Sequence, residues 1–146
     1  VFLAVGIFLN AYTALRFYFK KRRYRYPLKV FFIVSSFSLF FTATIPMNYE
    51  LFHKIPAFLF FFTYNLFVFS FGLFRSFQQI RAGVLSVFIG LAMTFSLLLL
   101  LPFKSYGVFE IVYFALILLW NIHFLFTRMK EEGMKSNKEG FLKFFQ

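Results

Sequence analysis

Carboxylate and imidazole chemistry in this chain rests on five glutamates and two histidines, because aspartate and cysteine are both absent. Without cysteine there is no thiolate nucleophile and no Cys-based metal site. Glu50-x-x-His53 is the one pairing with ligand spacing, since residues three apart share a helix face. A carboxylate-bridged metal site needs that motif twice, with further glutamates, and no second copy exists. Glu110 and His123 lie about 20 Å apart if helical, at 1.5 Å per residue, too far to share a proton. The chain has no phosphate-binding glycine loop, no nucleophile elbow, no H-E-x-x-H and no dinucleotide fingerprint. We therefore expect no enzyme, no metal and no cofactor.

The elements that position these groups follow from composition. Of 146 residues, 61% are hydrophobic, 26% are aromatic and only 14% are charged, with 29 phenylalanines. That is too little polar side chain to cover a water-soluble surface. The expected fold is all-α, a polytopic transmembrane helix bundle over residues 1–127, since about 20 apolar residues cross the bilayer core. Five segments qualify: 1–19, 28–48, 56–74, 82–102 and 109–127. Barrel strands would alternate with period two, whereas Phe58 to Phe62 and Leu97 to Leu101 are unbroken apolar runs. The chain begins at Val1 inside an apolar run and is read as a fragment.

Charge orients the spans. Lys20, Lys21, Arg22, Arg23 and Arg25 form a cluster after the first span, and the tail beyond residue 127 is again basic. Only Lys54 and Lys104, of 16 basic residues, fall on the opposite side. The positive-inside rule then places the C-terminus on the cytoplasmic side. The same distribution explains the net charge of +11 without nucleic acid as a partner of this segment.

The neutral polar residues fall in stripes. Gly6, Asn10 and Thr13 share a face of the first span; Ser35, Ser38 and Thr42 share one of the second. Asn65 with Gly72, then Ala82, Ser86, Gly90 and Thr94, then Glu110 with Asn121, continue the pattern. Small and hydroxyl residues of this kind are expected to pack helices and bond between them. Most phenylalanines are expected to face lipid, with Tyr24, Tyr26, Tyr49, Tyr106 and Tyr113 as interfacial anchors. On the side opposite the basic loops, Tyr49, Glu50, His53, Lys54, Lys104, Tyr106 and Glu110 form the only polar concentration. They are the candidate external site for an unidentified small ligand.

After Phe126 the composition turns polar, and residues 128–146 are expected to be a cytoplasmic linker or the start of an output module. Glu131 and Lys135 can pair one turn apart, Gly133 is expected to interrupt the helix, and Ser136-x-x-Glu139 has capping-box spacing for a new one. An amphipathic tail on the membrane surface is the alternative. The stretches N-I-H-F-L-F-T-R-M-K-E-E and K-E-G-F-L-K-F-F-Q resemble the membrane portion of bacterial one-component regulators, whose multi-helix sensor precedes a LuxR-type helix-turn-helix domain. Similar seven-helix sensor regions precede histidine kinases and diguanylate cyclases. The resemblance implies two spans ahead of Val1 and a role in signal transduction and transcription regulation. Its partners would be the bilayer, a small ligand and, as an open question, a second copy of the chain. The alternatives are a small-molecule transporter or channel subunit, lined by the Ser/Thr stripe and Asn65, and a structural subunit of a membrane complex.

Overall fold

In a computed structural model, which describes Leu15, Tyr18, Phe19 and residues 22–46, 48–99 and 106–144, four α-helices follow one another. They are α1 (Arg22–Thr44), α2 (Glu50–Ser76), α3 (Ile80–Ser96, followed by a 3-10 turn at Leu97–Leu99) and α4 (Tyr106–Phe144). No strand occurs among the described residues. Side chains of residues 134–144 lie outside the description.

The expected span at 28–48 is shifted toward the N-terminus. The basic cluster is itself helical from Arg22, and Pro27 is absorbed within α1. The helix then stops at Thr44, because Pro46 biases the residue before it away from the α region. A turn closed by Tyr49 N–H donating to the Pro46 carbonyl at 3.1 Å leads into α2. That helix begins six residues before the expected 56, with Glu50 in its first turn, where the helix dipole favours an anion.

Three helical stretches are long and apolar enough to cross a membrane: Arg23–Thr44, Glu50–Ser76 and Gly107–Glu131. The segment expected at 82–102 is the shorter α3, 17 residues or about 26 Å long. The expected span at 1–19 lies outside the described residues except for Leu15, Tyr18 and Phe19, all buried. So do Asn10, Thr13, Lys20 and Lys21.

The largest departure is at the end of the chain. Helix α4 runs 39 residues, straight through Gly133 and the S-x-x-E motif, so neither the break nor the new cap forms. A glycine costs a helix only about 1 kcal/mol relative to alanine, too little to end one already propagating on both sides.

Helix α2 is central, packed against α1 on one side and α3 on the other. Its approach to α3 depends on glycine. A Cβ added to Gly72 would sit 2.6 Å from the Val87 backbone nitrogen, and one at Gly90 would sit 3.0 Å from the Phe69 Cα. Here small residues let backbones touch, as the ridge in the sequence implied. Phenylalanine divides between two roles. Phe37, Phe58, Phe62, Phe88 and Phe126 are exposed on the outside, whereas Phe19, Phe32, Phe60, Phe67, Phe71, Phe109 and Phe124 are core residues. The expectation that most face lipid therefore missed an aromatic interior.

Candidate functional site

The antiparallel order brings the start of α2, the turn after α3 and the start of α4 to one end of the bundle. There a cavity of about 550 Å³ opens between α2 and α4. Glu50, His53, Lys54 and Glu110 line it together with Ala57, Phe58, Phe61, Leu97 and Phe109. Four of the seven residues expected to form an external site are thus brought together. Tyr49 is exposed just ahead of α2 and does not line the cavity. The side chain of Tyr106, which opens α4, and the whole of Lys104 lie outside the described residues.

The rim has a definite hydrogen-bonding state. Lys54 pairs with Glu50 one turn back along α2. His53 Nδ1 lies 2.9 Å from the Ile45 carbonyl, which ties α2 to the end of α1. A carbonyl only accepts, so Nδ1 carries the proton there. Glu110, partly buried on α4, has no hydrogen-bonding or ion-pair partner among the described residues. No group of three metal-ligating side chains occurs among them either.

From the cavity, aromatic contacts run along the α2–α4 interface. The Phe61 ring packs edge-on against Phe109 at 4.9 Å and Tyr113 at 4.8 Å, and Tyr113 donates a hydrogen bond to the Phe61 carbonyl at 2.5 Å. One turn further, Asn121 donates to the Tyr64 hydroxyl at 3.2 Å, and Trp120 sits edge-on to Tyr64 and Phe71. Trp120 also donates to Ser86 of α3 at 3.2 Å. Phe71 and Phe124 then meet Tyr18, with ring centroids 5.4 to 5.7 Å apart.

The path ends at a buried cation. Arg75 lies 4.4 Å above the Tyr18 ring and forms an ion pair with Glu131 of α4. Its guanidinium also donates to the side chains of Gln78 at 3.1 Å and Gln79 at 2.8 Å. Cavity and ion pair sit at opposite ends of one interface, and Glu110 and Glu131 lie about 32 Å apart along a single helix.

The expected stripes resolve into two kinds. Asn65 donates to Thr94 at 2.8 Å, and Ser86 and Asn121 also bond between helices. Ser35 and Thr42 instead bond back to carbonyls of their own helix, Phe32 and Ser38, so among the described residues the expected interhelical bonds of α1 are absent. Ser38 is buried between α1 and α2, and Gly90 packs on Phe69. Arg23 and Arg25 sit in the first turn of α1, whose first residue is Arg22. Tyr113, expected as an interfacial anchor, is buried inside the bundle; Tyr26 and Tyr49 are exposed as anchors would be.

Sequence reasoning missed Arg75, Tyr113 and Trp120. The signal lay in the spacing of Phe109, Tyr113, Ile117, Trp120 and Phe124, a continuous helical stripe that is buried throughout. In the sequence Arg75 is one more of the basic residues that orient the spans, and Glu131 sits one turn from Lys135. No protein-family model, curated protein or solved structure matches this chain.

Proposed function

We propose that the chain is a membrane-embedded sensor module that passes a signal from a ligand cavity to a cytoplasmic output. The observation that carries this reading is the unbroken helix α4. It lines the cavity through Phe109 and Glu110, is held by Arg75 at Glu131, and continues to Phe144. A stiff helix held at two points transmits a displacement or rotation from one to the other. Shifts of about 1–2 Å are the usual scale of such movements.

In the mechanism, the cavity has two packings of α2 against α4, and a ligand favours one by binding it more tightly. Phe61 is the contact that changes first, because its ring lines the cavity and its carbonyl holds Tyr113. The aromatic interface carries the change to the Arg75–Glu131 pair. Five spans, with residues 1–19 completing the visible set, and an inside C-terminus fit the distribution of basic residues. The resemblance to regulators with a LuxR-type domain makes transcription the output we favour.

A transporter pathway along the Ser/Thr stripe has less support, because Ser35 and Ser38 are buried and the Ser35 hydroxyl bonds to its own helix. Hydrogen exchange on the reconstituted chain tests the sensor reading without a known ligand. Replacing Ala57 by Trp fills the cavity, and exchange should change across residues 124–133. An effect confined to residues near the cavity would refute long-range transmission.

A further inference from the structure

We infer that the cavity between α2 and α4 takes a small organic cation, an apolar body carrying one primary or secondary ammonium group. The inference deepens the sensor reading and rests on it, since it presumes that the cavity is a ligand site.

Volume and walls set the body. About 550 Å³ is within the range of sites for small organic ligands and far more than ordered water needs. Phe58, Phe61, Phe109 and Leu97 supply flat, apolar walls suited to an aromatic or branched hydrocarbon group.

The rim sets the head group. Lys54 is already paired with Glu50. His53 commits its Nδ1 proton to the Ile45 carbonyl, so that donor is not free for a ligand. Glu110 contributes a carboxylate with no partner among the described residues. Among the described residues the group left for a ligand is thus a negative charge, and its complement is a positively charged donor. An anion would meet Glu110 with like charge, while a neutral alcohol would leave that carboxylate without a counter-charge. The phenylalanine rings also attract a cation at their faces. A quaternary ammonium would satisfy the rings but could donate no hydrogen bond.

Three probes with one body and three heads test this: 4-phenylbutylammonium, 4-phenylbutanol and 4-phenylbutyrate. Each is titrated calorimetrically into the full chain in nanodiscs of zwitterionic phospholipid, with empty discs subtracted. The cation should bind about tenfold more tightly than the alcohol, the scale of one charge-assisted hydrogen bond, and the carboxylate more weakly still. Glu110→Gln should reduce the cation to the level of the alcohol. Glu110→Asp keeps the charge and should retain the preference, and Phe109→Ala should weaken cation and alcohol alike. Equal binding of cation and alcohol, preference for the carboxylate, no saturable binding of any probe, or a preference that survives Glu110→Gln would each overturn the assignment. The sensor reading fails separately, if a bound cation leaves the far end of α4 unmoved.

Discussion

Arg75 joins three elements through one guanidinium: Gln78 and Gln79 beyond its own helix, the Tyr18 ring, and Glu131 of α4. Removing one partner of a buried ion pair strands the other charge, which costs about 3–5 kcal/mol, whereas removing both costs much less. Glu131→Leu alone should therefore destabilise the bundle more than Arg75→Leu combined with Glu131→Leu, as read by unfolding in mixed detergent micelles. Equal losses would mean that the pair is solvated and idle. Tyr113→Phe removes the hydroxyl bond from α4 to the Phe61 carbonyl of α2, with an expected loss of about 0.5–1.5 kcal/mol in the same assay. These residues were hard to see in the sequence. An arginine at a span end fits topology and a buried pair equally well, and only the placement of α4 decides between them. The rim was easier, because Glu50, His53, Lys54 and Glu110 share one polar neighbourhood on the side opposite the basic loops, where the sequence holds few other charges.

At the scale of elements, two glycines in helices behave in opposite ways because their surroundings differ. A Cβ at Gly72 meets the backbone of α3, so Gly72→Ala must push the helices apart and should cost about 1–3 kcal/mol. A Cβ at Gly133 meets nothing within 4 Å, so Gly133→Ala should strengthen α4 by up to about 1 kcal/mol. Thermal unfolding of both variants checks the pair of signs. The sequence pattern set Gly72 on one face with Asn65 and placed Gly90 in the ridge Ala82, Ser86, Gly90 and Thr94, and the structure brings α2 and α3 close at Gly72 and Gly90. The pattern misjudged Gly133 because local propensity is weak beside the cooperativity of a long helix. Helix boundaries moved for a similar reason: the expected spans begin at 28 and 56, beside Pro27 and Pro56, yet both prolines lie inside helices.

For the whole molecule, the division of phenylalanine is the clearest physical statement. Hydropathy is the same for a ring in lipid and a ring in the core, so composition identified the solvent but not the aromatic interior. Only the stripe from Phe109 to Phe124 separates the two. The orientation makes its own prediction. A membrane-impermeant maleimide should label a cysteine at Asn48 in intact cells, and one at Gln78 only after permeabilisation. The reverse pattern would invert the bundle and place the cavity inside the cell.

The central claim is that the state of the cavity is felt at the far end of α4. Because the chain has no cysteine of its own, a pair introduced at Gln78 and Met129 can carry spin labels without interference. Pulsed dipolar spectroscopy in nanodiscs then reads the distance between the turn after α2 and helix α4 at the Arg75–Glu131 end. With Ala57→Trp filling the cavity, the account predicts a shift in that distance of about 1–2 Å or a new population of distances. A distribution identical to that of the parent chain, with the cavity filled and the fold intact, would contradict it.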